Sequence, residues 1–222
     1  MRIRFAKSSD AKALARIHQE CGKKQPDSFM HQLGLSFLTT YYEISIEEKH
    51  SVILVSERED GVIVGFHSGT LLAEEHYRSL KHHKIILACA SIPLLFTSPH
   101  LIKGIYKRYK SSQDSTSNLT VKTGPRGEYW AWISGEPSED SLRLHHTWHM
   151  IMKNLGVRYV YSEVNLTHRR VYKAVASLGA EVVDEVVTPD GKKRAIVRYD
   201  LILLSNKYES INPRLQQNEH ED

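Results

Sequence analysis

Cysteine and long apolar segments are both scarce in this sequence. Cys21 and Cys89 are the two cysteines among 222 residues, too few for a disulfide framework or a thiolate zinc site and typical of a reducing cytosol. The apolar run from Ile85 to Phe96 has 12 residues, whereas a membrane-spanning helix needs about 18 to 20 apolar residues. The N-terminus has no apolar segment of the kind found in signal peptides. These absences predict a cytoplasmic protein.

Positive charge is concentrated in one segment of the chain. The net charge is +4, and the segment from Glu74 to Lys110 holds seven lysines and arginines against two glutamates, a balance of +5. The rest of the chain therefore carries 4 − 5 = −1. This distribution indicates an anionic partner for that segment and argues against a generally nucleic-acid-binding protein.

Hydrophobic periodicity predicts the elements in the order β α α β β, an insertion, then β α β α β β. The strands are predicted around residues 3–6, 51–57, 62–71, 127–134, 158–164, 180–187 and 194–203, and the helices at 10–21, 29–45, 140–154 and 168–178. The insertion extends from Leu72 to Ser112. This mixed order predicts a single α/β domain of the mixed α+β type over residues 1–204. Residues 205–222 are polar and are predicted to form a disordered tail.

One stretch combines a strand, a helix and polar residues at a distinctive spacing. In VNLTHRRVYKAVASLGAE, residues 164–181, Asn165 ends an apolar strand, Tyr172 follows seven residues later and Gly179 closes the helix. This stretch and the order of elements resemble the GNAT superfamily of acyl-CoA N-acyltransferases over about residues 2–203. The resemblance implies a central mixed β-sheet flanked by helices, with a helical insertion after the third strand. It also implies acetyl-CoA as the acyl donor.

The resemblance implies roles for individual residues. Tyr172 would donate its phenol proton to the leaving thiolate, and Asn165 would bind the pantetheine amide. Glu128, at the start of the fourth strand, is the best-placed candidate for the base that deprotonates the acceptor amine. Two central parallel strands splay apart in this fold, and the backbone expected to pair with pantetheine and bind the thioester carbonyl belongs to Trp132, Ile133 and Ser134. The structural alternatives for the three side chains are a core tyrosine, a helix N-cap and a solvated strand-end glutamate.

The expected pyrophosphate loop departs from the family pattern R/Q-x-x-G-x-G/A. Counting back from Gly156 places that loop at 136–141, where neither glycine is present. Glu139, Asp140 and Ser141 stand there instead. The N-terminus of the following helix still offers unpaired N–H groups and a positive dipole end to a phosphate. Alternatively, Asp140 or Ser141 is a plain N-cap and Glu139 is the acidic residue that first turns favour.

A pair of histidines has the spacing of metal ligands. His145 and His149 lie four residues apart on one predicted helix, as two zinc ligands do in H-E-x-x-H sites. The sequence supplies neither that motif's glutamate nor a recognisable third ligand, so no metal site is predicted. Trp130, Trp132 and Trp148 either line an acceptor pocket or belong to the core.

Three functions fit these observations. The leading prediction is an N-acetyltransferase that moves the acetyl group of acetyl-CoA to a primary amine of a small molecule or amino sugar, by direct attack in a ternary complex. The sequence is compatible with a homodimer and with a monomer. The second is a GNAT-like fold without CoA chemistry that serves as a binding or regulatory module. The third is a membrane-surface acyltransferase with a longer acyl chain or lipid-linked acceptor, in which residues 72–112 contact an anionic membrane.

The insertion has a competing interpretation as a helical lid packed on the domain. In that case its apolar side chains are buried, and truncating one of them costs about 2–5 kcal/mol of stability. The side chains predicted to pack in this way are Ile85, Leu87 and Leu94.

Overall fold

A seven-stranded sheet with helices on both faces forms the described part of the chain. The structure is a computed structural model that describes residues 1–24, 30–93, 122–167, 169–187 and 193–211. The strands are β1 (Arg2–Phe5), β2 (Ser51–Glu57), β3 (Ile63–Thr70), β4 (Arg126–Trp132), β5 (Tyr159–Asn165), β6 (Glu181–Val187) and β7 (Lys193–Asp200). The helices are α1 (Ala11–Lys23), α2 (Gly34–Glu47), α3 (Ala73–His82), α4 (Lys84–Ala90), α5 (Ser138–Asn154), α6 (Arg169–Ser177) and α7 (Leu201–Ile211).

The sheet has the strand order β1-β2-β3-β4-β5-β7-β6, and β4 and β5 are parallel neighbours whereas the other neighbours are antiparallel. The pairing of β4 with β5 is confined to Arg126 opposite Tyr161, at the start of β4. Toward their carboxyl ends the two strands separate and leave a gap in the middle of the sheet. The predicted α/β class, with a mixed sheet flanked by helices, is confirmed.

The continuous apolar run of β2 is explained by helices on both sides of the sheet. Val52 and Leu54 point to one face, and Ile53 and Val55 point to the other, so successive residues are all buried. The face covered by α1 and α2 has a core, called here the α1/α2 core, of Ala11, Leu14, Ala15, Ile17, Leu38, Tyr41, Tyr42, Ile53, Val55, Phe66, Leu87 and Ala131. The opposite face has the α5 core of Val52, Leu54, Leu144, Trp148, Met152, Val160, Val164, Val175, Ala195, Val197, Tyr199, Leu201 and Leu204.

The end of the domain lies beyond the predicted boundary. The last strand was expected to extend through residue 203, but it ends at Asp200. There Asp200 Oδ1 accepts hydrogen bonds from the backbone N–H groups of Ile202 at 3.0 Å and Leu203 at 3.3 Å, which starts α7. Helix α7 continues to Ile211, and Ser205, predicted as the first residue of the tail, is buried. The ordered domain therefore extends past residue 204; residues 212–222 lie outside the described residues.

The described part of the insertion consists of α3, α4 and the turn to Pro93. Leu87 packs in the α1/α2 core, as the lid interpretation predicts, but Ile85 is 69% exposed. The expectation that Ile85 is buried is wrong, because residues two apart on a helix point in nearly opposite directions. Leu94 and the basic residues from Lys103 to Lys110 lie outside the described residues. None of the described helices combines the length and apolarity that crossing a membrane requires.

Candidate functional site

A β-bulge in β4 turns Glu128 toward the α1/α2 side of the sheet. Tyr129 pairs with Ser68 of β3 and Gly127 pairs with Gly69, so Glu128 is the extra residue between them. Side chains normally alternate between faces, but a bulge re-aims the residue that it adds. Glu128 and Tyr129 therefore both lie on the face that carries α2.

Glu128 belongs to a buried polar cluster, called here the Glu128 cluster, with Tyr41, Glu48 and His76. The Tyr41 hydroxyl donates a hydrogen bond of 3.1 Å to Glu128 Oε2. His76 Nε2 lies 3.2 Å from Glu128 Oε1, and His76 Nδ1 lies 3.8 Å from Glu48 Oε2. The alternative of a solvated strand-end glutamate is wrong, because the Glu128 side chain is only 10% exposed.

Glu128 is a hydrogen-bond acceptor in this cluster. Burial, with the charge of Glu128 as the next contribution, holds the pKa of Tyr41 well above its usual value. Tyr41 is therefore a neutral hydrogen-bond donor to the carboxylate. His76 lies between two carboxylates, and neither ring nitrogen is aligned for a hydrogen bond with a described residue. The imidazole therefore lies within 4 Å of both carboxylates, at 3.2 Å from Glu128 and 3.8 Å from Glu48.

Sequence analysis missed Glu48 and His76. Glu48 follows the end of α2, 80 residues before Glu128, and His76 lies in α3, 52 residues before it. No spacing rule connects them, because the sheet and the two helices bring them together only in three dimensions.

A second charged group ties the strands together where the gap begins. Glu163 of β5 is 6% exposed and pairs with Arg126 of β4 at 3.3 Å and with Arg194 of β7 at 3.0 Å. The charges of this group, together with Glu128, act on Tyr129, whose pKa is raised chiefly by burial. The group therefore lies close to the Glu128 cluster, on the same side of the sheet.

The backbone of β4 offers one of the three expected amides to the gap. Ile133 donates its N–H to Val64 of β3 at 2.9 Å, so the expectation that Ile133 faces pantetheine is wrong. Because backbone groups alternate along an antiparallel strand, the Trp132 N–H points toward β5. The Trp132 carbonyl accepts from Cys21 Sγ at 3.3 Å, and Ser134 Oγ accepts from Lys24 Nζ at 2.6 Å.

The first turn of α5 has no side-chain cap. The residue before the helix is Pro137, and no side chain bonds the first N–H groups. Asp140 pairs with Arg143 at 2.8 Å, and Ser141 Oγ accepts from Trp130 Nε1 at 3.1 Å. The N-cap interpretation of Asp140 and Ser141 is therefore wrong, whereas Glu139 is an exposed acidic residue of the first turn, as that alternative predicts. The helix N-terminus is a potential anion site, although its first turn carries the exposed carboxylate of Glu139 and the half-buried Asp140, which pairs with Arg143.

Asn165 and Tyr172 lie on either side of the turn that follows β5. Asn165 Oδ1 accepts from the backbone N–H of Thr167 at 3.0 Å and from its hydroxyl at 2.9 Å. This turn precedes α6, which begins at Arg169, so the N-cap interpretation of Asn165 is wrong, and the Asn165 amino group has no hydrogen bond to the described residues. Tyr172 packs on the α5 core, and within the described part of the chain its hydroxyl has no hydrogen-bond partner.

The histidine pair of α5 has a third member that sequence analysis missed. His67 of β3 joins His145 and His149, and one ligand nitrogen of each lies within 4.8 Å of the others. His67 is thus a candidate third ligand that the sequence did not make recognisable. Burial lowers the pKa of all three imidazoles, that of His149 to about 4, so they are neutral at neutral pH.

A groove of about 550 Å³ lies at the other end of the sheet, where β5 begins. Its walls are mostly apolar, and none of the predicted site residues lines it. An ammonium acceptor needs carboxylates, and the groove is lined by His50, Arg158, Tyr159 and Tyr161 but by no Asp or Glu, whereas Glu128, Glu48 and Glu163 lie beside the gap. The gap between β4 and β5, with the Glu128 cluster beside it, is therefore the candidate active site.

Comparisons with solved structures identify the fold of this chain. No protein-family model and no curated protein matches the sequence significantly. Solved structures do match: an aminoglycoside 6'-acetyltransferase of type Ii is 12% identical, with 90% of this chain and 97% of that chain covered and a TM-score of 0.54. The acetyltransferase yncA from Salmonella typhimurium, with its cofactor acetyl-CoA, is 14% identical, with coverages of 90% and 94% and a TM-score of 0.55.

A third similar structure names the family. An acetyltransferase assigned to the GNAT family, from Desulfovibrio desulfuricans, is 11% identical, covers 90% of this chain and 98% of its own, and has a TM-score of 0.52. Sequence identities this low show a shared fold and nothing finer. The chain has the GNAT acetyltransferase fold over nearly all of its described length.

Proposed function

We propose that this chain, with its GNAT fold, is an N-acetyltransferase that moves the acetyl group of acetyl-CoA to a primary amine of a small molecule or amino sugar. The observation that carries the proposal is the bulge that turns buried Glu128 toward His76 and Tyr41 beside the gap between β4 and β5. The low cysteine content supports a cytoplasmic setting.

The side of the gap where the amine acceptor would bind is acidic. Glu48 and Glu128 have side chains that are 10% exposed or less, and an ammonium group is attracted to such carboxylates, whereas Glu163 is already paired with Arg126 and Arg194. Glu128 removes the proton that makes the amine non-nucleophilic, and His76 offers that proton a route to Glu48. The neutral amine then attacks the thioester carbonyl carbon; the C–N bond forms and the C–S bond breaks.

Acetyl-CoA, the acyl donor, would occupy the gap between β4 and β5 and contact the helix ends around it. When bound, acetyl-CoA supplies an activated acyl group with a thiolate leaving group. The Trp132 N–H is available to pair with the pantetheine arm, and the uncapped N-terminus of α5 is available for the pyrophosphate. The Asn165 amino group can bind a pantetheine carbonyl, and the Tyr172 phenol can protonate the leaving sulfur.

Replacing Tyr172 by Phe is expected to lower turnover at least about tenfold, because general acid catalysis contributes about 10²–10⁴-fold. Acetyl-CoA affinity should stay within a few-fold, since the ring remains packed on the α5 core. Calorimetric titration with acetyl-CoA and steady-state kinetics with a panel of amines and amino sugars measure the two quantities. Tyr159→Phe is the matched control, because Tyr159 lines the groove at the far end of β5.

Each outcome separates the alternatives. Unchanged turnover in Tyr172→Phe removes Tyr172 from the mechanism. No binding of acetyl-CoA or free CoA at millimolar concentration contradicts the proposed activity and favours a GNAT-like binding or regulatory module instead. The missing glycines at 136–141 are the sequence feature that supports that alternative.

A second candidate property concerns α4. We propose that the insertion contacts an anionic membrane surface, with the acceptor presented there on a lipid. Ile85 and Ile86 are 69% and 55% exposed in the described part of the insertion, and Lys81 and Lys84 beside them are exposed. Apolar side chains flanked by cations are how interfacial helices bind, each cation contributing about 1 kcal/mol.

The protein is expected to co-sediment with vesicles that contain phosphatidylserine and to stay in solution with neutral vesicles. Raising the salt concentration should release it, because screening acts over about 8–10 Å at moderate ionic strength. The double variant Ile85→Ser and Ile86→Ser should abolish binding. Leu203→Ser is the matched control, because Leu203 is 67% exposed on α7. Equal binding to neutral vesicles, or binding that persists at high salt, contradicts the proposal.

A further inference from the structure

Three histidines from two distant segments meet inside the domain. His67 lies in β3, and His145 and His149 are one turn apart in α5. They are 4%, 2% and 1% exposed, respectively. One nitrogen of each ring lies within 4.8 Å of the corresponding nitrogens of the other two. The cluster is on the α5 side of the sheet, away from the Glu128 cluster.

The ring nitrogens are left available for a ligand. His149 Nδ1 lies 2.8 Å from the His145 carbonyl oxygen, and because a carbonyl only accepts, Nδ1 carries the proton and Nε2 has a free lone pair. His149 Nε2, His67 Nδ1 and His145 Nδ1 are buried and have no hydrogen-bond partner among the described residues. Buried polar atoms are nearly always partnered in folded proteins. Each of the three rings thus has an unpartnered nitrogen, and the three rings bring one ligand atom each within 4.8 Å of the others, which points to a bound group that they share.

Aromatic rings surround the three imidazoles. The Trp130 ring centre is 4.4 Å from that of His145, the Trp148 ring is 4.3 Å from that of His67, and the Tyr199 ring is 4.5 Å from that of His149. Aromatic faces stabilise a cation that is withdrawn from water. The backbone hydrogen bond of His149 is also the contact by which metal-ligating histidines are usually oriented.

We propose that His67, His145 and His149 bind a zinc-class transition-metal ion that fastens α5 to β3. Imidazole nitrogen suits Zn²⁺, Cu²⁺ and Ni²⁺, whereas Mg²⁺ and Ca²⁺ require oxygen ligands. Zinc–nitrogen bonds of about 2.0–2.1 Å in a tetrahedron separate the nitrogens by about 3.4 Å, so the rings rotate inward by a small amount on binding. The fourth position of the tetrahedron is left for a water molecule.

The position of this site gives it a structural role. Trp130, which packs on His145, also donates to Ser141 Oγ in the first turns of α5. A metal that fixes α5 on the sheet therefore fixes the helix end that faces the gap. The metal takes no part in acyl transfer, and the inference stands whether or not the proposed activity is found.

The test uses the full chain, stripped with a chelator and then titrated with Zn²⁺, with Mg²⁺ as the negative control. Equilibrium dialysis and elemental analysis should give about one Zn²⁺ per chain. At a Zn²⁺ concentration a hundred times the dissociation constant, Tm should rise by about 5–10 °C. Mg²⁺ should leave Tm unchanged.

Variants locate the metal. His67→Gln and His149→Gln should each weaken Zn²⁺ binding by more than the roughly 100-fold that losing an outer-shell partner costs. His82→Gln should bind as the unaltered protein does, because His82 is exposed on α3. Loss of binding in His82→Gln alone would show an adventitious surface site and overturn the proposal.

A further experiment uses only the unaltered protein, so its result does not depend on whether the core variants fold. Tetrahedral Co²⁺ with nitrogen ligands absorbs visible light strongly, so Co²⁺ added to the stripped protein should produce that absorption and Zn²⁺ should abolish it. If Co²⁺ produces no such band and Zn²⁺ does not raise Tm, the histidines are neutral core residues and the proposal is wrong.

Discussion

Replacing Glu128 by Gln is expected to lower kcat for amine acetylation by about 10²–10⁴-fold, the usual contribution of general base catalysis. The amide keeps the size of the carboxylate and still accepts the hydrogen bond from Tyr41, but it cannot take up a proton. The pH–rate profile of the unaltered protein should rise as its base deprotonates, and the variant should lose that limb. Acetyl-CoA affinity should change little, because Glu128 lies on the acceptor side.

Glu59→Gln is the matched control for this experiment. Glu59 is exposed in the turn between β2 and β3, and it makes no contact with the candidate site. A melting temperature within a few degrees for both variants separates chemistry from unfolding. If Glu128→Gln retains full turnover and the same pH profile, Glu128 is not the base, and the His76–Glu48 pair becomes the remaining candidate.

Truncating Trp148 to Ala is expected to destabilise the domain by about 3–5 kcal/mol, the range found when a large aromatic core residue is removed. Trp148 is fully buried in the α5 core. Its Nε1 donates a 2.8 Å hydrogen bond to the Val52 carbonyl of β2. Its ring also fills the space above Gly69, where an added Cβ would lie 2.4 Å from Trp148 Cζ2. The free energy of unfolding in urea measures the loss.

Two further variants divide that loss into its parts. Trp148→Phe keeps an apolar ring but removes the hydrogen bond to the Val52 carbonyl, which still pairs with Gly69 in the sheet, so a smaller loss of about 0.5–1.5 kcal/mol is expected. Leu155→Ala, just past the end of the same helix and 54% exposed, should change stability by less than about 0.5 kcal/mol. A loss below about 1 kcal/mol for Trp148→Ala would mean that this residue does not anchor α5 to the sheet.

Local sequence patterns predicted the strands and helices whose formation depends on residues close together in the chain. The alternating and continuous apolar runs of β2, β3 and β5 predict strands because both faces of the sheet are covered. The amphipathic spacing in α1 and α5 predicts helices at nearly the observed bounds. The boundary error at Asp200 arose because a side-chain cap starts a helix there, although the apolar residues that follow, Leu201 to Leu203, continue the pattern of the strand.

The candidate site depended on contacts that no local pattern encodes. Glu128 was found from its place at the start of a strand, but its orientation follows from the bulge opposite Gly69, which is a property of two paired strands. Similarly, Ile133 is excluded from the gap by its hydrogen bond to Val64 of the neighbouring strand.

The sequence by itself determined the element order, the mixed α/β class and the stretch from Asn165 to Tyr172 that resembles an acyltransferase. These depend on hydrophobic periodicity and short-range spacing, which are written in consecutive residues. Only the tertiary structure brought His76 and Glu48 to Glu128, and His67 to His145 and His149. The physical reason is that chain segments dozens of residues apart become neighbours through sheet pairing and helix packing, and a site made of such segments has no fixed spacing in the sequence.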